Sequence, residues 1–338
     1  MSLPTAPLGR NGPEVVTVGF GLMGLHVFYG PEKSDEECFA ILDRALEIGE
    51  TFWDTSDLYG GNEAMLGRYF KARPGAREKV FLATKFGAYA PLPDGSTGTR
   101  SDPEWARICI DKSLKTLGVE FVDLYYVHRI DKNVPIEDTV EALVEFKNAG
   151  KIKHIGLSEC SARTIERAHA IHPIAAAQVE YSPFSLDIED NGVKATCEKL
   201  GIAVVAYSPL SRGILTGKIR SRSDLDKNDS RLTMMPRFSE ENFDKNVQLV
   251  DELQAEADKR GITVGQLALA WLVGQGAFPI PGTTKIERLE ENAGAAKVQL
   301  SKEDVEYLSK LIREAVPAGS RYAPGVGGPL YEDTVERK

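Results

Sequence analysis

Four side chains with acid–base chemistry stand at or just beyond the ends of three successive apolar runs in this 338-residue chain. Asp54 ends the run TFWD and Tyr59 follows in a glycine-rich turn, while Lys85 ends VFLATK and His128 ends FVDLYYVH. Each residue alone has an ordinary structural explanation, as a turn former, a surface lysine or a core histidine. Their positions after three consecutive runs favour a shared acid–base site instead.

The chemistry of such a site follows from the pKa values of its members. A phenol with a pKa near 10 is a poor proton donor at neutral pH. The ammonium of Lys85 beside Tyr59 would favour the phenolate and lower that pKa, and Asp54 would keep the lysine charged and oriented. A neutral imidazole at His128 could donate a hydrogen bond to a carbonyl oxygen. The four residues therefore predict a device that protonates an oxygen gaining negative charge, as when hydride adds to a carbonyl.

The elements that must position these residues are eight apolar runs, each followed by a helical pattern. Because the runs are continuously apolar, they indicate parallel strands buried on both faces, and eight such units favour one closed α/β barrel, a (β/α)8 TIM barrel. The runs are VVTVGFG, TFWDT, VFLATK, FVDLYYVH, IKHIGLS, AAAQVEYS, IAVVAYS and AFPIPG. The predicted helices cover Ser34–Ile48 (capping box Ser34/Glu37, stop at Gly49), Asn62–Phe70, a segment opened by Ser101/Glu104, Ile136–Ala149, Ser161–His172, Gly192–Leu200, parts of Asn242–Gln275, and Lys285–Ala295.

Three segments stand outside this repeat. They are an N-terminal hairpin around Gly9–Gly12, a loop over Arg212–Asn242, and a C-terminal helical extension after Val298. The extension is expected to form a helix near Lys302–Glu314 and then an irregular Gly/Pro-rich tail. With no visible break between units, residues 1–338 are interpreted as a single domain. In a barrel the carboxyl ends of all strands meet at one mouth, where Asp54, Lys85 and His128 would converge.

The remaining strand ends offer a place for a hydride-donating cofactor. Ser158 ends the fifth run and Gln178 lies in the sixth, and this pair suits a carboxamide, while the Tyr207 ring could stack on a nicotinamide. After the last run, Gly282-Thr283-Thr284 opens a helix whose N-terminus could bind phosphate, with Lys285 and Arg288 adding positive charge.

The stretch Gly19–Gly24 reads GFGLMG and so matches the G-x-G-x-x-G fingerprint of Rossmann dehydrogenases. In that fold the glycines open a helix that receives the pyrophosphate, and an acidic residue follows about 20 positions later. Here the helical pattern begins only at Ser34, and no second strand ends in an acid at the required place. The context therefore disfavours a Rossmann domain.

Composition excludes several other classes of protein. The net charge of −9 disfavours a nucleic-acid-binding or membrane-surface protein. No secretory signal or transmembrane-length apolar run is recognised, and the four cysteines are widely spaced without a CxxC pair, which disfavours disulfides and a metal site. These features indicate a cytoplasmic protein without a metal site. We further expect a monomer or weak homo-oligomer that acts as an enzyme on a small molecule.

The segments WDTSDLYG, FLATKFG, DLYYVHR, GLSE, AYSPLSRGILTGK and IPGTTKIERLEEN resemble, in order and spacing over roughly residues 8–315, those of the aldo-keto reductase superfamily. GLMGL and AAAQVEYSPFSLDIE are similar to the branch with fungal and plant reductases, including pyridoxal reductases. The resemblance implies a barrel that reduces carbonyls with NADPH, with Asp54, Lys85, His128 and the acid Tyr59 as catalytic tetrad. The implied cofactor residues are Gly21, Leu22, Met23, Asp54, Ser158, Glu159, Gln178, Tyr207, Ser208, Pro209, Leu210, Ser211, Arg212, Gly213, Lys218, Arg237, Gly282, Thr283, Thr284, Lys285, Arg288, Glu291 and Asn292.

Two positions depart from the pattern of that family. Glu159 replaces a common Asn, so it can accept a hydrogen bond from a carboxamide but cannot donate one. Gly282 replaces a usual lysine, which shifts recognition of the 2′-phosphate of NADPH to Lys285 and Arg288.

Three functions remain open at this stage: an NADPH-dependent aldehyde or ketone reductase (a pyridoxal reductase among them), a channel-subunit-like regulatory barrel, and a Schiff-base enzyme using Lys85. Candidate walls of a substrate pocket, most of them aromatic, are His26, Phe28, Phe86, Tyr89, Arg129 and Tyr322.

Overall fold

The computed structural model describes residues 2–27, 33–92, 94–328 and 330–337, and its centre is a sheet of eight parallel strands. The strands are hydrogen-bonded in chain order, each to the one before it. In that order they are β1 Phe20–Gly21, β2 Phe52–Asp54, β3 Phe81–Phe86, β4 Val122–Val127, β5 Ile152–Ser158, β6 Ala176–Glu180, β7 Ala203–Tyr207 and β8 Ala277–Pro279.

The first and last strands close the sheet into a barrel. The Gly19 amide donates to the Pro279 carbonyl at 2.8 Å, the Gly21 amide donates to the Pro281 carbonyl at 3.2 Å, and Gly21 also pairs with Gly282. A Cβ on Gly21 would lie 2.7 Å from the Ile280 carbonyl oxygen, so this closure requires glycine. The predicted (β/α)8 barrel is confirmed, and the Rossmann alternative is rejected.

Helices follow the strands and cover the outside of the barrel. The α-helices are Asp35–Ile48, Asn62–Ala72, Pro103–Leu117, Ile136–Asn148, Ala162–Ile171, Asp187–Asp190, Val193–Leu200, Arg231–Met234, Glu240–Asp258, Val264–Gly274, Ile286–Gly294 and Lys302–Glu314. The last has the predicted bounds. None of the helices in the described ranges is long and apolar enough to cross a membrane.

The predicted N-terminal hairpin forms, and it takes residues that the sequence reading gave to the first barrel strand. Strand Thr5–Pro7 pairs antiparallel with Glu14–Val16, and Leu8, Val15 and Val16 pack with the apolar residues inside the barrel. The run VVTVGFG is therefore split between the hairpin and β1. Its two halves share one apolar pattern because both end up buried, which is why periodicity alone could not separate them.

The N-termini of two helices can be compared with the predicted capping residues. At Ser34 the predicted capping box is present, with its hydroxyl accepting from the Glu37 amide and the Glu37 carboxylate accepting from the Ser34 amide. The Ser101/Glu104 start is wrong: Asp102 caps this helix by accepting from the Trp105 amide at 2.9 Å. Pro103 explains the difference, because proline is favoured at the first helical position and so places the cap one residue later than predicted.

The C-terminal tail returns to the carboxyl ends of the strands. After Glu314 the described residues form no helix, as predicted. The Tyr331 amide donates to the Glu159 carbonyl at 2.7 Å, and the Ser161 amide donates to the Glu332 carbonyl at 3.1 Å. The tail thus lies beside the loop that follows β5, next to the barrel mouth.

Candidate active site

Strands β2 and β3 place Asp54 and Lys85 side by side in the barrel mouth. The Lys85 ammonium donates to Asp54 Oδ1 at 2.5 Å, to the Thr55 carbonyl at 2.8 Å and to the Tyr59 hydroxyl oxygen at 3.4 Å. Its three protons are thereby all used. Lys85 is fully buried, and Gln178 Nε2 donates to the second Asp54 oxygen at 2.8 Å. The lysine is fixed in one position with its charge balanced.

The tyrosine is left with a proton to give. Because its oxygen accepts from Lys85, its own O–H points elsewhere, and no acceptor for it occurs within the described ranges. Burial raises the pKa of Tyr59, and the adjacent Lys85 ammonium opposes that rise. The expectation of a pKa below the ordinary value is therefore wrong, because Lys85 only limits the increase caused by burial. Burial alone would lower the pKa of Lys85, but Asp54 and Tyr59 more than offset it, so the lysine stays charged.

His128 follows β4 and lies at the edge of the Tyr59 ring, with ring centroids 5.9 Å apart and planes at 87°. Burial, with Arg129 and Lys85 nearby, holds the pKa of His128 well below its usual value, so its ring is neutral. Its Nδ1 lies 3.1 Å from the hydroxyl oxygen of Ser56. A neutral imidazole with one nitrogen occupied by Ser56 can offer the other to a ligand.

A cleft runs from this acid–base corner across the barrel mouth to helix Ile286–Gly294. It is lined by many of the predicted cofactor residues, which are Gly21, Met23, Asp54, Gln178, Tyr207, Ser208, Pro209, Leu210, Arg212, Gly213, Gly282, Thr283, Thr284, Lys285, Arg288, Glu291 and Asn292, together with Tyr59. The structure therefore brings the two predicted sites, for proton transfer and for cofactor, into one continuous cleft.

The loop after β7 turns sharply beneath the middle of the cleft. Ser208, Ser211 and Arg212 all have positive φ, between 46° and 57°, and the Ser211 amide donates to the Ser208 carbonyl at 2.8 Å. Such conformations cost free energy in non-glycine residues and concentrate at ligand-binding sites. The strained backbone therefore makes this loop a candidate ligand-binding turn.

The far end of the cleft has the features of a phosphate site. Helix Ile286–Gly294 begins after Lys285 without a side-chain cap, so its first amides are left for a ligand. Throughout the described parts of the chain, neither Lys285 nor Arg288 has an ion pair, and Glu290 pairs with Arg44 instead. The cations are therefore not neutralised by the glutamates of their own helix.

Other predicted site residues lie behind or away from the cleft. Leu22 is buried in the core, and Lys218 is exposed. Ser158 is buried and its hydroxyl oxygen lies 3.5 Å from the guanidinium of Arg129, while the hydroxyl of Ser211 is hydrogen-bonded to that of Ser182. Arg237 donates to Ser185 at 3.0 Å and lies 3.6 Å from Glu180, so the structure does not bring it to the cleft.

Glu159 is turned towards the C-terminal tail. Its Oε1 accepts from the Glu180 amide at 2.9 Å, and its Oε2 lies 3.6 Å from the guanidinium of Arg321. Both partners are distant in sequence, so local pattern could not reveal them. Its carboxylate is committed to the tail and does not line the cleft.

Only some of the candidate residues for the walls of the substrate pocket lie at the barrel mouth. Tyr322 accepts a hydrogen bond from Arg212 at 2.7 Å, and Arg129 donates to the Gly327 carbonyl at 3.4 Å, which ties the tail to the mouth. Phe86 is buried against Tyr125, and Tyr89 is exposed. Phe28 lies outside the described residues.

Sequence reasoning missed several residues of the site. Gly24, Thr216, Arg231, Gly265, Ile280 and Pro281 also line the cleft. Ser56, behind His128, could have been found because it stands between Asp54 and Tyr59 in the same loop. Gly265 gave no local signal, since it lies inside an ordinary apolar helix.

Comparison with known proteins identifies the scaffold. A model of the Aldo/keto reductase family matches residues 17–313. The chain belongs to the aldo/keto reductase family. It is 46% identical to the aldo-keto reductase yakc of Schizosaccharomyces pombe, whose name includes NADP(+), over 340 residues and 99% of this chain and 98% of that protein.

Two further relatives support the assignment. The aldo-keto reductase str7 of Strobilurus tenacellus is 46% identical over 332 residues, 96% of each chain. A solved structure of the thermostable aldo-keto reductase Tm1743 in complex with epalrestat superposes with a TM-score of 0.72 at 29% identity, covering 91% of this chain and 100% of that one. This aldo/keto reductase therefore shares both family sequence and barrel architecture with them.

The residues of the cleft fit a dinucleotide phosphate. The cleft is lined by an uncapped helix N-terminus, by two cations that have no ion pair within the described residues, and by the strained turn after β7. The buried hydroxyl of Tyr207 has no partner within the described chain, which leaves a polar atom for a ligand or water.

Proposed function

We propose that this aldo/keto reductase reduces an aldehyde or ketone to the alcohol, with NADPH as hydride donor and Tyr59 as proton donor. The observation that carries the proposal is the position of the Lys85 ammonium, which contacts both the Asp54 carboxylate and the Tyr59 hydroxyl. A half-buried tyrosine whose oxygen is already hydrogen-bonded to a cation can release its proton to a neighbouring oxygen, because the cation stabilises the resulting phenolate.

Each residue of the corner has a separate task in the proposed reaction. Tyr59 gives its proton to the substrate oxygen as negative charge develops there. Lys85 stabilises the phenolate that remains, and Asp54 keeps the lysine in place. His128, which is neutral, donates a hydrogen bond to the same substrate oxygen and orients it towards Tyr59.

The cofactor of this enzyme is NADP(H), in agreement with the name of the fission yeast relative. Bound in the cleft, NADPH supplies the hydride. We assign its adenosine 2′-phosphate to Lys285 and Arg288, and its pyrophosphate to the turn over Ser208–Gly213. On a chain of net charge −9, cations that face the phosphate directly are needed to offset long-range repulsion.

The surroundings of Lys85 disfavour the Schiff-base alternative. A lysine nucleophile must lose its proton, and such lysines have lowered pKa values. Here Asp54 and Tyr59 raise the pKa of Lys85 above its ordinary value, and all three of its protons are engaged.

The decisive experiment follows NADPH oxidation by the purified protein across aldehydes, ketones, quinones and pyridoxal. Turnover of at least one carbonyl is expected, with NADPH much preferred over NADH. Binding of NADPH without turnover of any carbonyl would favour the regulatory barrel, and reduction of pyridoxal above the others would place the enzyme among pyridoxal reductases.

A further inference from the structure

His128 is connected to a second acid through one serine. The Ser56 hydroxyl oxygen lies 3.1 Å from His128 Nδ1 and 3.3 Å from Asp57 Oδ1. It also accepts from the Leu58 amide at 3.2 Å, and the Lys85 carbonyl oxygen lies 3.5 Å from it. Ser56 is fully buried, so its hydroxyl is shielded from bulk solvent.

A serine hydroxyl has a single proton, so it can donate to only one of its two side-chain neighbours at a time. When Asp57 is ionised, the carboxylate is the stronger acceptor and takes that proton. His128 Nδ1 must then carry a hydrogen and donate to Ser56. Its Nε2 is left as a bare lone pair, which cannot donate to a substrate oxygen.

When Asp57 is protonated, the direction of the chain reverses. The Asp57 O–H donates to Ser56, Ser56 donates to His128 Nδ1, and the ring hydrogen moves to Nε2. The second state contains one proton more than the first, and that proton comes from solvent. Because His128 is neutral in both states, only its tautomer differs.

We propose that Ser56 and Asp57 are positioning residues that set the tautomer of His128, and that protonation of Asp57 switches its Nε2 into the hydrogen-bond donor that carbonyl reduction needs. This inference rests on the proposed function, since it concerns the same substrate oxygen. It adds a regulatory property, in which reduction is coupled to the protonation of an acid that touches neither substrate nor cofactor.

The surroundings of Asp57 allow this switch to operate near neutrality. Burial raises the pKa of Asp57 to about 7, with Glu63 adding to the rise and Ser56, Lys112 and Lys85 opposing it. Below that value Asp57 is protonated and Nε2 donates; above it the donor is lost. The ionisable groups around Asp57, Ser56 and His128 include several on neighbouring elements. They are Glu63 on helix Asn62–Ala72, Lys112 and Cys109 on helix Pro103–Leu117, Lys85 on β3, Tyr125 on β4, Tyr59 at the His128 ring, and Arg129 beside His128.

The most direct test observes the tautomer itself. In full-length protein labelled with 15N-histidine, the two neutral tautomers have distinct ring-nitrogen shifts, and His128 is assigned by loss of its signals in His128→Asn. The wild type should change from the Nε2–H to the Nδ1–H form as pH rises through about 7. In Asp57→Asn, the amide donates to Ser56 as a protonated acid would, so the Nε2–H form should persist at every pH.

Single-turnover reduction of a carbonyl by NADPH gives the functional readout, free of product release. Above the pH at which Asp57 is half protonated, the wild-type rate should fall about tenfold per pH unit, because one required proton is lost. The total loss of rate should level off at roughly 10²-fold. Asp57→Asn should lose this fall and keep the wild-type rate of low pH. Ser56→Ala should uncouple the ring from Asp57, so that its tautomer no longer changes near pH 7.

Glu63→Gln is the matched control, because Glu63 is a buried neighbouring acid that hydrogen-bonds Thr84 at 2.7 Å instead of Ser56. In Glu63→Gln the His128 tautomer should still change with pH, but the midpoint of that change should move to lower pH. A single His128 tautomer across the pH range in the wild type, or the same change in Asp57→Asn, would overturn the inference. Absence of carbonyl reduction by the wild type would instead reject the proposed function, and the NMR result would still judge the switch.

Discussion

The two ends of the cleft are built in opposite ways. At the acid–base corner, Lys85 is fully buried and its three protons all have acceptors. At the phosphate end, Lys285 and Arg288 are exposed at an uncapped helix N-terminus and have no ion pair within the described chain. Both ends contain cations, but only at the acid–base corner does a carboxylate of the protein balance the positive charge.

This difference follows from the roles proposed for the two ends. Catalytic groups act by their position and pKa, which must be set before substrate arrives, and buried partners achieve this. A binding cation gains most when its partner is the ligand, because an internal carboxylate would have to be displaced first. Mutations should therefore affect the rate of reduction at one end and the affinity for NADPH at the other.

The largest effect is expected for Lys85→Met. The loss of the cation removes the stabilisation of the Tyr59 phenolate and should lower the single-turnover rate by roughly 10²–10⁴-fold. It also leaves Asp54 buried and unpaired, which costs about 3–5 kcal/mol of unfolding free energy in urea titrations. Lys33→Met, which removes a surface lysine paired with Glu37, should change neither quantity appreciably.

The double variant Lys85→Met/Asp54→Asn separates the two consequences. It removes the unpaired carboxylate and should recover much of the stability without recovering the rate. Recovery of activity together with stability would show that Lys85 acts only on folding.

A smaller effect is expected for Asp54→Asn, because it weakens the orientation of the lysine without removing its charge. The rate should fall by roughly 10–10²-fold, and the pH above which Tyr59 ionises should move. A pH–rate profile measured beside that of the wild type checks this. A loss as large as that of Lys85→Met would contradict the assigned order of roles.

At the other end, Arg288→Ala should weaken NADPH binding by about one to two decades, since a charge-assisted contact with phosphate is worth roughly 1.5–3 kcal/mol. NADH affinity should stay nearly unchanged, as measured by quenching of tryptophan fluorescence. Lys302→Ala, on an exposed helix elsewhere, is the control and should leave both affinities as they are. Equal losses for NADH and NADPH would remove Arg288 from the phosphate site.

The smallest effect is expected for Lys285→Ala, because an exposed lysine offers a flexible point charge without bidentate geometry. NADPH affinity should fall by roughly threefold to tenfold, and the loss should shrink as salt rises from 0.05 to about 0.5 M. A loss that does not depend on salt would indicate a structural effect on the helix N-terminus.

The sequence predicts the barrel and its acid–base corner well, because both depend on local order. Asp54, Lys85 and His128 end their strands, and parallel strands in a barrel bring such ends to one mouth whatever the details of packing. The bounds of helix Lys302–Glu314 follow in the same way from its capping residue and amphipathic period.

What the sequence could not predict depends on contacts between distant segments. Arg321 reaches Glu159 from a tail 162 positions away, and Ser185 and Glu180 hold Arg237 out of the cleft. The pKa of Tyr59 differs from its predicted direction for a related reason. Residue types reveal the neighbouring Lys85, but only the fold reveals the burial that outweighs it.

The central claim, that Tyr59 supplies the proton, is tested most directly by Tyr59→Phe. The single-turnover rate of carbonyl reduction and the dissociation constant of NADPH are measured on the same preparation. We expect the rate to fall by at least about 10²-fold while the NADPH dissociation constant stays within a few-fold of the wild type. Reduction at a near wild-type rate by Tyr59→Phe would contradict the account.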